Sequence, residues 1–250
     1  MRWMETQERE LEATTDDGEM VVVITEPKAP PEGGGHWPTV LYFIDAPGLR
    51  PATRDSMALL ASNGYRVVTP DLHHRVGRLL YAEPKDAGTE LPAGGPRGWL
   101  GAMTDDQIQH DGAAALAAAG VSPDTPIVTI GFCLGTLAAY RLIEANPDRV
   151  LAGACFHPSM MGNDTPGSPH LTAATTPRPM YFGVGEADTV QSIEMQQRFF
   201  DAVDGVDHVE VVTFPGVDHG FTWPGYPNYD ENAAETSWAK TLELFATAFA

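Results

Sequence analysis

The chain has 250 residues, 43% of them hydrophobic, with 34 Asp plus Glu against 15 Lys plus Arg and a formal net charge of −19. A field of that sign repels phosphate backbones and anionic lipid head groups, so neither a nucleic-acid partner nor a membrane-surface role is expected. No apolar run approaches the roughly 18 residues of a membrane span, and two cysteines, Cys133 and Cys155, are too few for a disulfide framework or a cysteine-rich zinc site.

The N-terminal stretch "MRWMETQERELEATTDDGEM" is charged and lacks the apolar core of a secretory signal, which reads as a cytoplasmic protein. The length suits a single domain over residues 1–250. "EMVVVITEP" has the β-branched content of an early strand or hairpin, and the Pro- and Gly-rich "EPKAPPEGGGHWP" (26–38) reads as a surface loop.

From residue 39 strands alternate with helices, the signature of parallel βαβ units. "TVLYFIDAPG" is a strand ending in turn residues. "PATRDSMALLASNG" is a helix with Pro51 in its first turn, Met57, Leu60 and Ala61 on one face, and a stop at Gly64. "YRVVTPDL" is the next strand. Residues 75–104 have little periodicity and read as a long excursion, after which "DDQIQHDGAAALAAAG" resumes as a helix.

"PIVTIGF" is a buried strand that runs into the turn Gly131-Phe132-Cys133-Leu134-Gly135, and "LGTLAAYRLIEANP" is the helix beyond it. Strand "VLAGACFHP" follows and carries Cys155, read as inert core. Residues 157–178 form a loop expected to help shape a pocket. Strand "MYFGVGEAD", helix "TVQSIEMQQRFFDAVDG", strand "HVEVVTFPGVDHGF" and a terminal helix over 231–249 complete the chain. Trp238, Leu242, Phe245 and Phe249 fall at helical spacing on that last helix and read as core. The fold class is α/β, with a mostly parallel central sheet and helices on both faces.

The turn around Cys133 has the Gly-x-nucleophile-x-Gly shape that presents a reactive side chain between a strand and a helix N-terminus. A helix N-terminus stabilises a thiolate, so cysteine suits the position; the alternative is a small buried structural residue. Asp188 after "MYFGVG" and His219 after the last strand complete the order nucleophile, acid, histidine. In that reading His219 takes the thiol proton and Asp188 orients its ring, with Glu186 and Asp218 as rival acids. The backbone N–H groups of Leu134 and Ala46 are the candidate oxyanion donors.

Together, "GFCLG", "FIDAPGLRPATRDSMALLASNGYRVVTPDL", Asp188 and "HGF" resemble the dienelactone hydrolase (carboxymethylenebutenolidase) family over roughly residues 20–249. The resemblance implies an α/β-hydrolase fold and cleavage of an enol-lactone ring by a Cys133–His219–Asp188 triad through a covalent acyl-enzyme. It also implies a carboxylate that receives the thiol proton, for which Asp45 stands one methylene shorter than the family's glutamate. The family's carboxylate-binding arginine, a few residues after the histidine, is replaced here by Trp223, a candidate pocket residue. Arg50, Arg54 and Arg97 are possible substitutes, each read as a surface charge. A small apolar or aromatic ester or lactone therefore suits the site better than a dienelactone carboxylate.

His73, His74, His157 and His170 can border the pocket but lack ligand spacing, so no metal is expected, and no cofactor is implied. A general carboxylesterase or thioesterase remains an alternative, as does a non-hydrolytic redox sensor or ligand-binding protein using Cys133. The sequence does not specify oligomeric state.

Overall fold

The computed structural model describes residues 4–79 and 95–250. The chain divides into two compact units, Met1–Val128 and Thr129–Ala250.

In the first unit, β1 (Thr6–Thr15) and β2 (Gly18–Pro27) form an antiparallel hairpin. β2 pairs antiparallel with β4 (Arg66–Pro70), which pairs in parallel with β3 (Thr39–Phe43), giving the order β1-β2-β4-β3. β3 and β4 are buried along their whole length, as expected of apolar strands covered on both faces. β1 is the strand that the charged N-terminus concealed. Its residues Glu8, Arg9, Glu10 and Glu12 are exposed at the margin of the sheet, where charge discourages further strand pairing.

Helix α1 (Pro51–Ser62) packs on β2 and β4, burying Met57, Leu60 and Ala61 as the spacing predicts. Helix α3 (Asp105–Ala118) packs on β1, β2 and β4 and starts with a reciprocal capping box between Thr104 and Gln107. The excursion over 75–104 contains a helix that periodicity missed, α2 (Gly95–Ala102); its residues 80–94 and the Arg97 side chain lie outside the described residues.

The second unit opens on β5 (Ile127–Phe132), buried at every residue, and continues in the order β5-β6-β7-β8 with β6 (Val150–Phe156), β7 (Met180–Gly185) and β8 (Val209–Phe214). β6–β7 and β7–β8 are parallel pairs. Helix α4 (Gly135–Ala145) packs on β6, and α6 (Glu231–Ala248) on β6 and β7. Helix α5 (Ile193–Val203) starts three residues after Val190 because Ser192 caps it, its hydroxyl accepting from the Met195 N–H. On α6, Trp238 and Phe245 are buried as core, while Leu242 and Phe249 are half-buried.

Residues 157–178 contain two single 3₁₀ turns, Pro169–Leu171 and Ala173–Thr175. The Tyr140 hydroxyl on α4 contacts Pro169 O, Thr172 Oγ1 and Thr176 Oγ1, and the Arg141 guanidinium donates to Gly167 O, so this loop is stitched to one helix. Among the described residues no helix is long and apolar enough to cross a membrane.

Candidate active site

The turn from β5 into α4 admits no side chain at its first glycine. A Cβ on Gly131 would stand 2.6 Å from the Gly135 carbonyl carbon and 2.7 Å from Thr136 Cα, with the Gly135 oxygen closer still. Cys133 sits at the apex with φ +53°, a left-handed conformation that costs a residue with a Cβ roughly 1–2 kcal/mol. Neighbouring groups hold it there. Its N–H donates to Phe156 O at 3.1 Å, and its carbonyl accepts from the Ser159 N–H at 3.1 Å, the Thr136 N–H at 3.2 Å and the Thr136 hydroxyl at 2.5 Å. The residue is 5% exposed.

His219 and Asp188 are brought together by a close approach of two loops. At Gly185, the end of β7, a Cβ would meet the Val217 carbonyl carbon at 2.9 Å, and the Ala187 N–H donates to Val217 O at 2.9 Å. Asp188 Oδ2 then accepts from His219 Nδ1 at 2.7 Å, which fixes the proton on Nδ1 and leaves Nε2 for chemistry. The other Asp188 oxygen accepts from the Val190 and Gln191 N–H groups at 2.8 and 2.9 Å. The rival acids stand elsewhere: Glu186 is exposed, and Asp218 accepts from the backbone N–H of His219 and Thr189 rather than from the ring.

Burial works to lower the His219 pKa, yet the group is raised to about 10 because the charge of Cys133 faces the ring and Asp188 bonds its other side. The Cys133 side chain also hydrogen-bonds the ring, which adds to the raising effect of its charge. The field at this ring favours its imidazolium form. Cys155, fully buried in β6, is the opposite case: burial pushes its thiol far up.

Two residues of the segment after β6 pack against the sulfur and the His219 ring. His157, 1% exposed and at φ +40°, packs its ring edge-on to that of His219 with centroids 4.8 Å apart and bonds Thr222 Oγ1 through Nε2 at 2.9 Å. Ser159, fully buried, places its hydroxyl 3.4 Å from Cys133 Sγ. Ser159 was not singled out by the sequence, since one serine in an irregular loop carries no pattern. Met160, at φ +66°, donates its N–H to Gln191 Oε1, joining the same segment to the Asp188 loop.

Trp223 is 3% exposed and lies over Phe132, ring centroids 4.9 Å apart, and near His157 at 6.2 Å. It belongs to an aromatic packing that also takes in Phe156 and Trp238. Leu134, 8% exposed, stands at the start of α4 in helical conformation. His170 Nδ1 and the Ser168 hydroxyl are hydrogen-bonded at 2.7 Å. Among the described residues no group of three or more His, Cys, Asp or Glu is disposed to hold a metal ion.

In the first unit, Asp45 follows β3 and is 4% exposed, and both its oxygens are occupied by Arg50 at 2.5 and 2.6 Å. The reading of Arg50 as a surface charge fails. It is 2% exposed because it folds back over its own loop, adding bonds to Gly48 O and Thr53 Oγ1. Arg54 pairs with Glu8 and Glu10 of β1. Ala46, 5% exposed, has its carbonyl bonded by His73 Nε2 at 3.1 Å, and His74 faces the buried Asp111, which Arg75 clamps bidentately.

A sequence profile of the dienelactone hydrolase family matches residues 20–249. The carboxymethylenebutenolidase of Rhodococcus opacus is 28% identical over 217 residues, covering 84% of this chain and 81% of that protein. The enzyme of the same name from Pseudomonas sp. strain P51 is 27% identical, covering 84% of each. Among solved structures, a candidate dienelactone hydrolase from Klebsiella pneumoniae superposes with a TM-score of 0.79 at 22% identity over 97% of this chain and 99% of that one. The dienelactone hydrolase-like promiscuous phosphotriesterase P91 from metagenomic libraries gives 0.74 at 20% identity, over 97% and 98%. The fold is thus the expected α/β-hydrolase one, mostly parallel with helices on both faces. With the family profile spanning nearly all of the sequence, the chain belongs to the dienelactone hydrolase family and is a carboxylic ester hydrolase.

Proposed function

We propose that the enzyme hydrolyses a small, uncharged ester or lactone through a covalent acyl-enzyme on Cys133, with residues 1–250 acting as one hydrolase domain. The observation that carries this reading is the position of His219, held by Asp188 at 2.7 Å on one nitrogen and lifted to a pKa of about 10 by the facing Cys133. A thiolate beside an imidazolium is the reactive form of such a pair. The sulfur attacks the carbonyl carbon, and the Leu134 N–H at the start of α4 faces the developing oxyanion with the positive end of the helix dipole behind it. His219 Nε2 gives its proton to the departing alkoxide oxygen. In the second half, water loses a proton to the same nitrogen and attacks the thioester, expelling the thiolate and releasing the carboxylic acid.

Asp45 has no free oxygen for the thiol proton in this arrangement. Both oxygens are engaged by the Arg50 guanidinium, so its role is to hold the loop after β3 in shape. The preference for a neutral substrate rests on charge. The chain carries −19 overall, Trp223 stands where the family has an arginine, and Arg50 is committed to Asp45, Gly48 and Thr53. An anionic dienelactone would approach against that field. A cytoplasmic location fits a thiol nucleophile that must stay reduced.

The test is steady-state hydrolysis of a dienelactone, a neutral aryl lactone and p-nitrophenyl esters by wild type and Cys133→Ala. Turnover of the neutral substrates that vanishes in Cys133→Ala is expected. Turnover surviving in that variant would sink the acyl-enzyme. A dienelactone outrunning the neutral esters would overturn the substrate assignment and leave the mechanism standing.

A further inference from the structure

Within the second unit the sulfur of Cys133 has a neighbour that the triad scheme leaves unused. Ser159 Oγ lies 3.4 Å from Cys133 Sγ, a normal separation for an oxygen–sulfur hydrogen bond, and Ser159 is fully buried. The placement is built into the backbone. The Ser159 N–H is shared between Cys133 O at 3.1 Å and Thr136 Oγ1 at 3.2 Å, so the serine is anchored to the very peptide that bears the nucleophile. Its neighbours in sequence are anchored as firmly, His157 through its N–H to Gly183 O and Met160 through its N–H to Gln191 Oε1.

We propose that Ser159 is a further catalytic residue, whose hydroxyl donates to the Cys133 sulfur and holds it as a thiolate. The inference rests on the reading of Cys133 as nucleophile. A thiolate has no proton to give, so when Cys133 is ionised the hydroxyl is the donor and the sulfur the acceptor. Charge-assisted bonds of this kind are stronger than neutral ones, and burial keeps water from competing for either atom. His219 supplies the opposite charge and Ser159 supplies directed hydrogen bonding. The same bond acts in deacylation. As the tetrahedral adduct collapses, the carbon–sulfur bond breaks, the electron pair goes to sulfur, and the Ser159 proton meets the charge as it forms.

A donor to the ground-state thiolate has a distinctive signature. It lowers the pH at which the thiolate appears without raising the reactivity of the thiolate once formed. The experiment is the pH dependence of Cys133 alkylation by iodoacetamide, read by mass spectrometry on the intact folded protein. Cys133→Ala serves as the blank, since Cys155 is fully buried. Ser159→Ala is expected to move the midpoint up by about one pH unit, a tenfold fall in thiolate at a fixed pH below it, with the plateau rate at alkaline pH retained. Ser159→Thr keeps the hydroxyl and is expected to titrate near wild type.

A midpoint unmoved in Ser159→Ala, or a lowered plateau at an unmoved midpoint, overturns the proposal while leaving the Cys133 mechanism intact. Esterase turnover that persists in Cys133→Ala overturns both. Should Ser159→Ala fail to fold, Ser159→Gly, which also removes the hydroxyl, decides in the same titration: a raised midpoint supports the hydroxyl, and a wild-type midpoint refutes it.

Discussion

Gly131→Ala is the sharpest perturbation of the turn that presents Cys133. The new methyl would stand 2.6 Å from the Gly135 carbonyl carbon and 2.7 Å from Thr136 Cα, both backbone atoms of the first turn of α4. Carbon atoms in contact prefer about 3.5–4.0 Å, so the strand and helix must part by roughly 1 Å. No side-chain rotation relieves backbone contacts of this kind. Overpacking of this sort costs about 1–3 kcal/mol, and at about 2–4 °C per kcal/mol for a chain of this size the expected fall in Tm is on the order of 5–10 °C. The catalytic cost is larger in proportion, because Cys133 rides on the displaced segment and a misplacement of about 1 Å is worth roughly a hundredfold in rate. Scanning calorimetry and kcat/KM on a p-nitrophenyl ester measure the two effects on one preparation. A Tm within about a degree of wild type, together with kcat/KM within about twofold, would refute the claim that the turn is sterically closed.

Two further predictions test the charge network. The folded-state pKa of His219 is raised above its ordinary 6.5 to about 10, so its contribution to stability is present in full below about pH 6.5 and is lost as pH rises through 10. The stability difference between wild type and His219→Gln, measured by denaturant unfolding, should shrink across that window, and ester hydrolysis should decline on an alkaline limb near 10; a limb near 6.5 would mean that the ring is not paired with a thiolate. Arg50→Met leaves the 4%-exposed Asp45 as an unpaired buried carboxylate, a loss of about 3–5 kcal/mol, whereas the double variant Arg50→Met/Asp45→Asn should recover most of it. Equal thermal stability of wild type and the single variant would show the pair to be dispensable.

Much of this architecture was legible because its signals are local. β3, β4, β5, β6 and β7 are short apolar runs bounded by turn residues, and burial on both faces is what such runs require. The glycines of the turn around Cys133 and the histidine loop are likewise local. What stayed hidden depends on partners distant in sequence. β1 shows only charge in the sequence, because its partner β2 and the helix α3 packed on it supply the reason for its extended form. Arg50 reads as solvated because arginine usually is, and only the folded loop reveals Asp45, Gly48 and Thr53 around it. Ser159 meets Cys133 across 26 residues of sequence, through an irregular segment with no period to expose it.

That segment explains how the site tolerates its own strain. Cys133, His157 and Met160 all take positive φ without being glycine, conformations that persist only where their surroundings over-determine them. Here the constraints are reciprocal. The Cys133 N–H ends on Phe156 O and its carbonyl receives the Ser159 N–H, so the nucleophile and the end of β6 hold each other from both sides. The same few residues reach His219 through the ring of His157 and the Asp188 loop through Met160 and Gln191. The scaffold is therefore set by peptide groups with the Thr136 hydroxyl and the Gln191 amide, none of which substitution of the Ser159 side chain removes. The Ser159 hydroxyl mounted on it is then the group proposed to set the charge state of the sulfur. Geometry and electronics are thus divided between backbone and side chain within one segment, which is why removing the Ser159 hydroxyl should shift a titration and not displace the nucleophile.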